Sequence, residues 1–92
     1  MIMIQNDSKI WKERSKWEII FDLLKVMDEE KNQKKTRIMQ RANLDWTNFQ
    51  RYFKFLTEEQ FIAENTQEKE CYEITGKGKE LHNRLVFINN TR

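Results

Sequence analysis

The chain has 92 residues, 38% of them hydrophobic and 35% charged, with a net charge of +2; this length allows one core and leaves too little buried surface for two. Three Trp, six Phe and two Tyr supply bulky anchors that exclude a disordered chain. A single cysteine, Cys71, excludes an internal disulfide or Cys-rich zinc site and fits a reducing compartment, while the absence of a signal-peptide core in "MIMIQNDSKIWKERSK" or of any membrane-length apolar run predicts a soluble, cytoplasmic protein.

Residues 1–14 read as an N-terminal extension in which "SKIWKER" embeds Ile10 and Trp11, either lengthening the next helix or packing against it. "SKWE", from Ser15 to Glu18, has the form of a capping box, and Trp17, Ile20, Phe21, Leu24 and Met27 follow at helical steps. The spacing predicts a helix over about 16–28, with Ile19, Leu23 and Val26 as a second apolar line. So wide an apolar face belongs in the core or an interface. "DEEKNQKK" reads as a polar loop, after which Thr36 is the expected N-cap of a short helix, Arg37 to Ala42, buried through Ile38 and Met39.

Asn43 tolerates the left-handed conformation that ends helices, Leu44 is a plug for the core, and Asp45 suits the next N-cap. From Trp46 to about Glu59, Phe49, Tyr52, Phe53 and Leu56 make an inner, structural face, with Trp46 expected in the core. "FIAENTQEKECYEIT" then reads as two short antiparallel strands around a polar tip, because Tyr72 and Ile74 alternate with Cys71 and Glu73. Thr75 is the expected cap of a last helix in which Leu81, Leu85 and Ile88 share a face, with Val86 and Phe87 off it.

The order helix, short helix, turn, helix, hairpin, helix describes an α+β, mainly helical fold: a winged helix-turn-helix with a small antiparallel β-hairpin wing and a C-terminal helix. A single domain over 1–92 is predicted, with its core at 15–81 and the end of the C-terminal helix and tail at 82–92. Charge is unevenly spread along it. Between Lys31 and Lys54 stand Lys31, Lys34, Lys35, Arg37, Arg41, Arg51 and Lys54 against Asp45 alone, while both flanks are net acidic. A basic patch on a helix pair is the electrostatic footprint of nucleic-acid binding.

The strings "RSKWEIIFDLL", "KTRIMQRANL" and "CYEITGKGKEL" resemble the small archaeal winged-helix DNA-binding proteins of the ten-kilodalton chromatin-associated type and related regulator-like winged-helix domains. The resemblance implies double-stranded DNA as partner, the helix from Trp46 in the groove, the hairpin beside it and a homodimer. Chromatin-associated members dimerise through a long C-terminal coil, for which a chain ending at Arg92 leaves no room. Leu85, Val86, Phe87 and Ile88, with the first helix, are the expected dimer contacts.

A helix of about 46–59 in the major groove presents Thr47, Asn48, Gln50, Arg51 and Lys54 to DNA. Arg51 has the two-point geometry for guanine, and Asn48 or Gln50 for adenine. Lys34, Lys35, Arg37 and Arg41 suit phosphates, with Thr36 capping its helix so that N–H groups face one. The hairpin tip, with Glu64, Glu68 and Glu70 around Lys69, is acidic and is expected to add little affinity. A transcriptional regulator or nucleoid-associated protein is the expected role. The alternative is a protein-interaction module that docks a partner on its apolar first and last helices.

Enzymatic readings find little support. "TGKGKE" lacks the spacing of a phosphate loop and reads as a turn. His82 is the sole histidine and is expected at the helix surface, and Cys71 is expected to be an inert strand position. No catalytic grouping, metal, cofactor, small-molecule ligand or membrane contact is predicted.

Overall fold

Ser15 opens the first helix by reciprocal hydrogen bonds: its hydroxyl accepts from the Glu18 backbone N–H at 3.1 Å, and the Glu18 carboxylate accepts from the Ser15 N–H at 2.7 Å. This capping box satisfies two donors that a helix start leaves open and begins α1, Lys16–Glu29. A computed structural model describes residues 14–90, with side chains through 88, so the expected placement of Ile10 and Trp11 lies outside the described residues. Ile19, Ile20, Leu23, Leu24, Val26 and Met27 fill the buried arc of α1. Trp17 does not join them and is 52% exposed. It lies at the margin of that arc, as does Phe21, which is half-buried and stacks on His82 with ring centroids 5.4 Å apart.

The predicted loop "DEEKNQKK" is corrected by a third strand. Asn32 turns the chain at φ 56° and β1, Gln33–Lys34, follows. The Gln33 side chain is buried, and its Nε2 donates to the carbonyls of Val26 at 2.8 Å and Glu30 at 2.7 Å, closing the C-terminal end of α1. Helix α2, Lys35–Arg41, leaves directly from β1, with extended Lys34 as N-cap and no side-chain capping bond. Thr36 therefore stands inside the first turn and is not the cap: pairing of Lys34 in the sheet sets the start earlier than the side-chain signal suggested.

The turn after α2 follows its sequence. Asn43 adopts φ 56°, Leu44 packs on the core, and the Asp45 carboxylate accepts from the Asn48 N–H at 2.9 Å to cap α3, Trp46–Glu58. Phe49, Phe53 and Leu56 are the buried face of α3. Trp46, expected in the core, is half exposed and covers Phe49 from outside, with centroids 6.0 Å apart. At the start of its helix it reaches only the edge of the packed face.

Strands β2, Ile62–Glu64, and β3, Cys71–Ile74, form the hairpin. The antiparallel sheet runs β1-β3-β2, with Gln33 opposite Tyr72 and Ile62 opposite Ile74. Thr75 Oγ1 then accepts from the Gly78 N–H at 3.0 Å and donates to the Gln60 carbonyl at 2.7 Å, capping α4, Gly76–Asn90. Gly78 is buried so tightly that a Cβ there would lie 2.1 Å from the Phe61 carbonyl oxygen. Helix α4 packs along α1, and among the described residues no helix is long and apolar enough to cross a membrane. The result is the mainly helical winged-helix arrangement, with three strands where two were expected.

Candidate nucleic-acid interface

Burial of Phe49, Phe53 and Leu56 turns the opposite side of α3 outward. Thr47, Gln50, Arg51 and Lys54 recur there at steps of three and four and are exposed. They line a groove of about 540 Å³ whose far wall is Lys35 and Tyr72. Asn48 is off this stripe by roughly a quarter turn and half-buried, next to the cap that holds its N–H. Arg51 makes no ion pair among the described residues. Lys54 lies 4.0 Å from Glu58, an exposed pair that water and salt screen.

Lys35 is held from below. Its ammonium sits 5.3 Å from the Phe53 ring centroid and 5.7 Å from that of Tyr72, and the two rings meet edge to face at 4.9 Å. Lys34 and Thr36 are exposed and share a second, smaller groove of about 320 Å³ with Lys35, Glu70 and Tyr72.

Arg37 and Arg41 face elsewhere. Arg41 donates to Glu29 at 2.6 Å, to Glu30 at 3.2 Å and to Gln33 Oε1 at 3.1 Å. Arg37 donates twice to Glu30, at 3.1 and 3.3 Å. Two acidic residues at the end of α1, just outside the basic segment of the sequence, thus offset two of its cations.

Sequence reasoning missed three residues that shape this region. Arg14 ties the turn between α2 and α3 to α1, donating to Ala42 O at 3.0 Å and Asn43 O at 2.7 Å while paired with Asp22. Gln33 links α1, β1 and Arg41, and Tyr72 walls both grooves. Only the presence of Arg14 and Tyr72 in the quoted strings hinted at them; buried Gln33 carried no signal.

The hairpin tip is built on Asn65, whose Oδ1 accepts from the Gln67 N–H at 2.7 Å and the Glu68 N–H at 2.8 Å, and whose Nδ2 donates to Asn32 at 2.7 Å. Glu64 accepts from the Glu70 N–H at 2.9 Å. Burial, and then the carboxylates of Glu64 and Glu70, push the Tyr72 phenol above its ordinary pKa. It stays a protonated hydrogen-bond donor at neutral pH.

On the other side of the molecule Leu85 and Val86 are half-buried, whereas Phe87 is 68% exposed. An apolar groove of about 670 Å³ separates α1 from α4, between Trp17, Phe21, Leu81, Leu85 and Ile88, with Arg84 at its edge. His82, expected at the surface, is half-buried between these helices, with Nδ1 3.9 Å from Asp28. Cys71 is buried in β3, and no cluster of three metal-ligating side chains occurs among the described residues.

A family model described as winged helix-turn-helix matches residues 13–92. An uncharacterised protein of Methanocaldococcus jannaschii is 47% identical over 82% of this chain and 73% of its own length. A second from that archaeon is 38% identical over 82% of the chain, which spans only 34% of that relative. Among solved structures, Sso10a-2, a DNA-binding protein from Sulfolobus solfataricus, superposes with a TM-score of 0.71 at 27% identity, covering 86% of this chain and 82% of that one. The PcaV transcriptional regulator from Streptomyces coelicolor shares the fold, with a TM-score of 0.66 at 16% identity over 75% of this chain and 54% of that one.

Proposed function

The chain belongs to the winged helix-turn-helix family, and from that membership we propose that it binds double-stranded DNA as a cytoplasmic transcriptional regulator or nucleoid-associated protein. The observation that carries this reading is the exposed stripe of α3, with Thr47, Gln50, Arg51 and Lys54 along one groove and Lys35 facing them. Likeness to the DNA-binding protein Sso10a-2 supports it. A major groove admits one α-helix, and such a stripe carries both hydrogen-bonding side chains for base edges and cations for phosphates.

Within that reading Arg51 pairs with guanine and Gln50 with adenine, while Asn48, off the stripe, reaches only the groove edge. Lys34, Lys35, Thr36 and Lys54 meet the backbone. Arg37 and Arg41 reach a phosphate only by releasing Glu30 and Glu29. The acidic hairpin tip contributes little, so Lys69→Glu should weaken binding far less than Arg51→Ala. The deciding experiment is a salt titration on mixed-sequence duplex: affinity should fall steeply, with a log-log slope of about −0.9 per phosphate neutralised. No binding even at low salt would sink the reading and leave a protein-interaction module in its place.

The exposed Phe87 and the apolar groove between α1 and α4 support a homodimer formed through Leu85, Val86, Phe87 and Ile88. A monomer by sedimentation at high protein concentration refutes this part alone.

A further inference from the structure

Tyr72 is the shared wall of the two grooves beside α3: Arg51 and Lys54 lie along one, and Lys34 and Thr36 along the other. Its ring is fixed from two sides, edge to face with Phe53 at 4.9 Å and under the Lys35 ammonium at 5.7 Å. Its hydroxyl has no hydrogen-bond partner among the described residues. Lys35 is half-buried yet makes no ion pair among them, and the Phe53 and Tyr72 rings hold its charge in place. A neutral donor carried on a fixed ring, with a cation held near that ring and unpaired among the described residues, can receive one oxyanion, because the cation supplies attraction and the donor direction.

The geometry points to a phosphate-clamping role for Tyr72: its hydroxyl donates to the same backbone phosphate that Lys35 neutralises, at the junction of the two grooves. This deepens, and rests on, the DNA-binding reading above. Glu70 also borders the smaller groove and Glu64 stands opposite Tyr72 in the sheet, so the phosphate is placed on the α3 side of Tyr72, where Lys35, Arg51 and Lys54 line the groove together with Glu58. The pair fixes the depth and tilt of α3 without reading sequence.

The test uses the full chain and a mixed-sequence duplex. Tyr72→Phe keeps the ring contacts and deletes only the donor. It should raise Kd about tenfold with the salt slope unchanged, because a neutral donor releases no counterion. Lys35→Gln should make the slope shallower by about 0.9. The double variant should bind little worse than Lys35→Gln, since both groups serve one phosphate. Thermal melts of the variants that match the parent separate this role from a packing defect. Wild-type-like affinity of Tyr72→Phe, or fully additive losses in the double variant, overturns the inference while leaving DNA binding intact. Failure of the parent protein to bind duplex removes both.

Discussion

The Arg41 guanidinium donates to the Glu29 carboxylate at 2.6 Å and so ties the last turn of α2 to the end of α1. The same side chain holds the Oε1 of buried Gln33. Arg41→Ala should therefore act first on stability, at a cost of about 1–3 kcal/mol, because a buried amide oxygen loses its partner. Urea unfolding measures this. Glu30→Gln, which loosens both Arg37 and Arg41, should instead strengthen duplex binding at low salt, and unchanged affinity would show that these arginines stay away from DNA.

Arg51 stands on the exposed stripe without an ion partner among the described residues. Arg51→Ala should cost about 1–3 kcal/mol of binding and relax preference at one base pair, whereas Arg37→Ala should act on all sequences alike. Selection from random duplexes compares the two. Equal, sequence-blind losses would remove the base-reading role of Arg51.

The two glycines of "TGKGKE" should respond oppositely to alanine. A Cβ at Gly76 meets nothing within 4 Å, and neither glycine has positive φ. Gly76→Ala should leave stability equal or raise it by about 0.4–1 kcal/mol through the unfolded chain. At Gly78 the new carbon collides with the Phe61 carbonyl and the Ile74 side chain. Gly78→Ala should destabilise by about 3 kcal/mol or more, since rigid backbone must shift. Melting of the two variants side by side decides it.

Tyr72 makes stability depend on alkaline pH. Its folded-state pKa is raised, chiefly by burial and then by Glu64 and Glu70, so above its ordinary value near 10 the unfolded chain loses a proton that the folded one keeps. Unfolding free energy should therefore fall as pH rises from there. Tyr72→Phe should flatten that part of the profile relative to the parent, and parallel profiles would contradict the assignment.

Phe87 tests the proposed dimer with little risk to the fold, being 68% exposed. Phe87→Glu should shift sedimentation from dimer towards monomer without lowering the melting temperature of the isolated subunit. Unchanged association would place the dimer contacts elsewhere.

The sequence revealed elements whose signals are local. The Ser15–Glu18 capping box and the Asn43, Leu44, Asp45 turn are carried by neighbouring side chains, and all appear where their residue types put them. Long-range features were hidden. β1 has two residues, too few for alternation to show, and exists only because β3 pairs with it. Thr36 has the chemistry of a cap, but the strand before it fixed the helix start. Trp17 and Trp46 fell at the margins of helical faces, where periodicity cannot distinguish core from rim. At the candidate site the stripe on α3 was legible, apart from Asn48. The diversion of Arg37 and Arg41 was not, because their carboxylate partners lie on another helix.

The order β1-β3-β2 also has a temporal meaning. The central strand is the last of the three to be synthesised, so α2 and α3 leave the ribosome before the segment that clasps them. Local helix formation is fast, whereas joining Gln33 to Tyr72 must close the whole intervening loop. Until Cys71–Ile74 arrives, the core that holds Ile38, Phe49 and Leu56 lacks the packing of Tyr72 and Ile74. Sheet closure is therefore expected late in folding, with β3 as the latch that completes the enclosure of the helix pair.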